Sequence, residues 1–386
     1  MQTAPYLDGV NLFAATVRSI AEPDPLHAAL RAGGPIVQVD AQAAGRVWVV
    51  TDEALARQVL AHPRITKDPA TAPPGWNQYT AGLEQPAAEQ PSLTTLDGPD
   101  HAELRRAHAP LLSAKRIGEQ SDRVHTIART LLAELATEHG TVDLMAGFTT
   151  RYPLTVLLDL LGIPLDRVGQ AADACRRMLD GGPGQAQAIA DLAELAGAGL
   201  DDTSQGLATE LRDRVPAHTT RDQLRYHLFA LIFAGQLTTD ASLGVLIAHT
   251  LAERPQRSAG TGDVEEMVRE TLRQHPPAPF TLWRFTTTEL ELAGMRLPER
   301  APVLVDIQGI NTNPDRSPGP DLTFGAGPHY CIGAQLAQLE LQAVATVLRT
   351  DYPDARLATP FAELRQSTLG GLQGSRLTAL PVTLHG

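Results

Sequence analysis

The segment Asp222–Glu253 constrains the fold of this 386-residue chain more than any other. Its centre, Leu228 to Gly235 (LFALIFAG), is apolar on every side of a helix. Such a helix has to be surrounded by other elements rather than lie on a surface. The chain supplies candidates to surround it: Thr126–Leu135, Leu154–Leu161, Ala186–Leu200, Val264–Gln274 and Gly333–Arg349 all repeat apolar residues at spacings of three and four. Extended structure is minor. Ile36–Val39 and Val47–Val50 flank a turn-prone AQAAG and predict a hairpin, and Val303–Ile307 predicts a further strand. The expected class is therefore mainly α with a minor β-sheet. No linker or repeat divides the sequence, so residues 1–386 are expected to form one domain.

Gly235 lies inside the central helix, where glycine costs about 1 kcal/mol relative to alanine. Either a neighbouring helix crosses closely there or a ligand lies against the backbone. The stretch Asp68–Pro91, rich in Pro, Gly and Ala, predicts a long loop. It is read as a lid or substrate-contacting segment, or else as a tolerated surface insertion.

Charge narrows the function. A net charge of -12 argues against nucleic acid as a partner, which a basic face would serve. No apolar run reads as a membrane span, and the first residues lack a basic segment followed by a long apolar one. The expectation is a cytoplasmic protein with no membrane anchor. Only two cysteines occur, Cys175 and Cys331. They could pair, but two reduced thiols are the commoner state in an unexported protein, leaving one free to act as a thiolate.

Phe324 to Gly333 reads FGAGPHYCIG and runs into a helical pattern carrying Leu336, Leu339, Val344, Val347 and Leu348. Gly325 and Gly327 permit positive φ angles that turn amide N–H groups inward. Cys331 then sits at a helix start, where unpaired amides and the helix dipole favour an anion, so its thiol is expected to ionise readily. Gly333 omits a side chain where a flat macrocycle would rest. The plain structural alternative is a free cysteine beside a glycine-rich turn.

This segment resembles the haem-binding signature of cytochromes P450, F-x-x-G-x-[HR]-x-C-x-G, at Phe324, Gly327, His329, Cys331 and Gly333. Three more segments are similar, in the same order as in that family. Glu270 and Arg273 (E-T-L-R) resemble its E-x-x-R pair, which implies a buried ion pair with Arg316 as a candidate third member. LDGPDHAELRRAH resembles the entry to its C helix. The resemblance implies that His101, Arg105, Arg284 and His329 bind the two haem propionates. Ala234 to Thr239 (AGQLTT) resembles the oxygen-binding A-G-x-[DE]-T-T. There Ala234 and Gly235 would give haem and dioxygen room, and Thr238 would donate a hydrogen bond to the bound oxygen.

Two departures stand out. Leu237 occupies the position of the usual acid, so water held by Thr238 or Gln236, or the substrate itself, would have to carry protons. Asp240, one turn along on a similar side, is a weaker substitute. The stretch TNPDRSPGPDLT before the cysteine loop is also shorter than in typical relatives.

The resemblance implies a P450 fold with haem b between the central helix and the cysteine loop, and Cys331 as iron ligand. It implies dioxygen activation to oxidise a small organic substrate, natural-product or peptide-derived, in bacterial secondary metabolism. Electrons would come from a separate ferredoxin and ferredoxin reductase, since two cysteines cannot hold a four-cysteine cluster. Trp76, Phe229, Phe233, Leu237, Phe280, Leu282 and Leu369 are the implied substrate-lining residues, each equally open to plain core packing. Two other readings stand beside this one: oxidation without oxygen insertion, such as aryl or phenol coupling or ring closure, and a non-catalytic haem protein.

Overall fold

In the computed structural model the described residues are 3–77, 90–137, 140–180, 184–200, 205–252, 261–368 and 372–385. Leu369 and residues 78–89 of the expected long loop lie outside them. The main helices among the described residues are α1 (Pro25–Ala32), α2 (Glu53–Ala61), α3 (Gly98–His108), α4 (Ser121–Ala136), α5 (Arg151–Leu161), α6 (Val168–Asp180), α7 (Gln185–Ala198), α8 (Arg221–Ala252), α9 (Thr261–Gln274) and α10 (Ala334–Asp351). Every segment with a helical apolar period is helix, its ends within a few residues of expectation. The periodicity did not single out α1, α2 and α6. Local chemistry starts the first two: the Asp24 and Asp52 side chains accept the backbone N–H of Leu26 and Leu55. Gly162, at φ 77°, ends α5 in the left-handed conformation.

Helix α8 is the axis. Its residues Leu228, Phe229, Ile232, Leu243, Leu246 and Ile247 are buried, and α5, α7, α9 and α10 pack around it. By length and composition α8 could cross a membrane, which corrects the expectation that no such run exists. Of its apolar window, 56% is buried inside the protein. Enclosure by neighbouring helices accounts for the composition.

A five-stranded sheet stands to one side, built from β1 (Ile36–Ala41), β2 (Gly45–Val50), β3 (Ile65–Thr66), β4 (Arg284–Thr286) and β5 (Pro302–Val305) in the order β1-β2-β5-β4-β3. The expected hairpin is present, with Ile36 opposite Val50. Strand β2 runs parallel to β5, and β3 antiparallel to β4, pairing Ile65 with Thr286 and Thr66 with Phe285. That last pairing carries the chain after β3 alongside Arg284. A separate small sheet joins Thr16–Ser19, Arg365–Thr368 and Arg376–Leu377, and brings Arg376 against α8.

Candidate active site

The cysteine loop is shaped by two glycines. Gly325 and Gly327 adopt φ angles of 72° and 70°, and the Cys331 N–H donates back to the Phe324 carbonyl at 2.9 Å. Gly327 has a second reason to lack a side chain: a Cβ would stand 3.0 Å from the Leu60 carbonyl oxygen near the end of α2. Phe324 packs on the main core. At Gly333 the atom nearest an added Cβ is Cys331 Sγ, at 3.8 Å, so the space beside the sulfur stays open.

Burial raises the Cys331 thiol pKa, and the amides of Gly333 and Ala334 together with Arg105 pull it down without winning. This corrects the expectation of a readily ionised thiol. Dense packing on the loop side of the sulfur opposes the helix start and one arginine, while the residue stays exposed towards the space beside Gly333, where a bound cation would hold the sulfur as an anion. Cys175 is a separate free thiol, pushed up to about 12 by burial.

On α8 an accessible strip interrupts an otherwise enclosed helix. Ala234 is exposed and Thr238 half-buried, and the Thr238 hydroxyl donates to the Ala234 carbonyl at 2.8 Å. Gly235 is half-buried beside the same strip. A Cβ there would meet the Leu157 methyls of α5 at 3.1 and 3.2 Å. The glycine therefore admits a crossing helix on that side.

Asp240 corrects a second expectation. Successive residues turn about 100° round a helix, which puts Asp240 about 200° from Thr238. Its carboxylate is buried and accepts hydrogen bonds from Thr150, Gln236 and Arg376 at 3.0–3.3 Å. Gln236 is thereby engaged too. Thr239 reaches a different acid, donating to Glu340 of α10 at 3.4 Å. Glu340 is fully buried, its Oε1 has no partner, and burial raises its pKa well above the usual carboxylate range. Nothing in the sequence singled it out.

A cationic cradle lies between β3, β4, α3 and the cysteine loop. His101 and Arg284 are 3% and 4% exposed, and His101 Nε2 and Arg284 Nε are buried without a hydrogen-bond partner. Burial lowers His101 to about 4, helped by His329 and Arg105, and lowers Arg284 to about 10. Unmet buried donors are costly, so two in one cluster around His329 fit an anion, as haem carboxylates would supply. Arg105 donates to the Tyr330 carbonyl at 2.6 Å, next to Cys331.

His329 differs from expectation. Its Nε2 lies 2.7 Å from Asp97 Oδ1 and its Nδ1 3.3 Å from the Leu93 carbonyl, so both nitrogens already have protein partners. Its ring packs tilted against His101, 4.0 Å between centroids. Asp97 precedes α3 without capping it. Burial would raise its carboxyl, but hydrogen bonds from His329, Thr66 and the Lys67 amide hold it down at about 2. Lys67, 8% exposed, belongs to the same cluster. Sequence reasoning missed both Asp97 and Lys67.

Glu270 and Arg273 form a two-pronged ion pair at 2.6 and 2.7 Å, and Arg273 also donates to the Asn311 carbonyl. The pair is not buried, since its side chains are 39% and 23% exposed. Arg316 does not join it. Its partner is Glu53 of α2, at 3.1 Å.

The expected substrate residues divide. Phe229 has no exposed surface and stacks on Phe233 at 5.8 Å, so it is core. Phe280 is 1% exposed against Phe13 and His27, and is core as well. Trp76 and Leu282 pack on the same cluster as Phe280, with Trp76 edge-on to Phe285 at 5.4 Å. Phe233 and Leu237 are half-buried on α8 and remain candidates.

No family model matches the chain. Among curated proteins it is 41% identical to the cytochrome P-450 monooxygenase DoxA of Streptomyces sp. (strain C5), covering 97% of this chain and 98% of that one. It is 30% identical to a Vitamin D(3) 25-hydroxylase of Pseudonocardia autotrophica, over 94% of each. Among solved structures it superimposes on CYP154C4 from Streptomyces sp. W2061 with a TM-score of 0.83 at 25% identity, covering 100% of this chain and 98% of that one.

Proposed function

The chain belongs to the cytochrome P450 family, and on that premise we propose that it inserts an oxygen atom into a largely apolar, ring-containing natural product. It is a monooxygenase-type oxidoreductase, and its cofactor is haem b. The substrate class rests on the Pseudonocardia relative, whose name specifies vitamin D(3), and on the apolar Phe233 and Leu237 beside the accessible strip of α8.

One observation carries the reading. On an enclosed helix Ala234 is exposed beside half-buried Gly235 and the half-buried Thr238 hydroxyl, so room and a hydrogen-bond donor occur together. We assign Cys331 as the iron ligand, and His101, Arg105 and Arg284 as the holders of the haem carboxylates. Haem, once bound, supplies dioxygen activation, with the thiolate favouring O–O cleavage. Thr238 presents its proton at Oγ1 and can release its bond to the Ala234 carbonyl to do so. Leu237 supplies no acid, and Gln236 and Asp240 are occupied with each other and Arg376. The substrate's own polar groups and water at Thr238 then complete proton delivery.

The proposed setting is the cytoplasm, with electrons from a separate ferredoxin and its reductase. Leu237 favours a second reading, oxidation without oxygen insertion, because coupling or ring closure demands less proton delivery. Turnover with a surrogate ferredoxin and reductase under 18O-labelled dioxygen separates the two. One labelled atom in the product is expected. A coupled or ring-closed product without label overturns the first reading and supports the second.

A further inference from the structure

We propose that Lys67 is a cofactor-holding residue whose ammonium group, beside Arg284, neutralises a carboxylate of the haem. The inference rests on the haem-binding reading above but assigns a residue for which no sequence motif speaks.

The argument begins with register. Strand β3 pairs with β4 so that Ile65 faces Thr286 and Thr66 faces Phe285. One step further, Lys67 comes opposite Arg284. Residues opposite one another on antiparallel neighbours share a face, and like charges so placed repel. Here both are also buried, at 8% and 4% exposure. Two cations held together out of water need an anion.

Asp97 is the acid that bears on both, and it is already committed. Its Oδ1 meets His329 Nε2 at 2.7 Å, and its Oδ2 accepts from the Thr66 hydroxyl and from the Lys67 backbone N–H, each at 2.6 Å. Lys67 therefore meets Asp97 through its amide and leaves its ammonium unspent. Among the described residues one carboxylate faces two buried cations, and the cluster keeps an excess of positive charge. His101 Nε2 and Arg284 Nε, both buried and unpartnered, border the same excess. A ligand that brings two carboxylates balances the charge and satisfies those donors together. Burial also draws the ammonium of Lys67 down to about 7, with Arg284 acting in the same direction and Asp97 opposing. A resident carboxylate would reverse that.

The test compares Lys67→Met and Lys67→Arg in the full chain, by haem transfer to apomyoglobin and by thermal melting with and without haem. Lys67→Met is expected to lose haem about tenfold faster, as the loss of one charge-assisted bond implies. Without haem it should melt no lower than the parent, because a buried charge has been removed. Lys67→Arg should hold haem like the parent. Unchanged haem transfer in Lys67→Met overturns the proposal, and so does a haem-free Lys67→Met that melts lower, which would make Lys67 purely structural. A parent that shows no red-shifted Soret band with carbon monoxide would instead fail the haem-thiolate reading itself.

Discussion

The Thr239 hydroxyl donates a 3.4 Å hydrogen bond to the carboxyl of Glu340, joining the central helix α8 to a buried acid on α10. Among the described residues no cation answers that acid. Burial dominates its ionisation and favours the protonated form, so a neutral amide should replace it without penalty. A group whose folded pKa is raised contributes stability below its unfolded pKa and loses it as pH rises. Glu340→Gln should therefore match the parent's melting temperature near about pH 4 and exceed it increasingly towards about pH 8. Melting curves at several pH values check this. An equal or lower melting temperature at the alkaline end would show the acid ionised and partnered.

Leu237 and Asp240 should respond oppositely. Leu237→Glu restores an acid beside Thr238, so more electrons should reach product and less peroxide should form per NADPH consumed. Asp240→Asn weakens the bonds to Arg376 and Thr150 rather than a proton path. It should lower stability by about 2 kcal/mol and leave the peroxide fraction unchanged. Peroxide assays beside urea unfolding separate the effects. A peroxide rise in folded Asp240→Asn would place Asp240 in the relay.

Cys331→Ala should abolish the red-shifted Soret band of the reduced, carbon monoxide-treated protein. The Cys175→Ala variant should retain it, since that thiol is buried in the core. Persistence of the band in Cys331→Ala would refute the assignment of the ligand.

Arg273 should matter more than Glu270. Both lose a partly exposed ion pair, which contributes about 1 kcal/mol or less. Arg273 also binds the Asn311 carbonyl, so Arg273→Ala adds an unmet acceptor, and a total loss of about 2–3 kcal/mol is expected. Urea denaturation of both variants measures the difference, and equal losses would discount the Asn311 bond.

Two buried histidines and a half-buried one set an acid limit for the haem-free protein. Burial lowers His101 and His275 to about 4 and His227 to about 3. Their folded values lie below an unfolded value near 6.5, so the unfolded chain takes up protons first as pH falls. Stability should be complete above about 6.5 and decline below it, by up to about 1.4 kcal/mol per pH unit for each group. Flat stability between about pH 6.5 and pH 4 would contradict this burial.

Local sequence by itself determined the helices with an unbroken apolar period, the hairpin of β1 and β2, and the glycine-turned loop that ends at Cys331. Each depends on residues a few positions apart, where steric preference and apolar spacing act directly. Tertiary structure decided the rest. Leu157 of α5 comes against Gly235 only in the folded chain, and Arg316 could be read as a neighbour of Glu270 until Glu53 claimed it. The loop glycines and the helix start predicted an ionised Cys331. The packing of the assembled fold around the loop side of the sulfur pushes the thiol the other way. Asp97 meets His329 across 232 positions of sequence, and Lys67 comes opposite Arg284 only because β3 pairs with β4. Burial and charge depend on which surfaces close over a residue, and no spacing within a single segment carries that information.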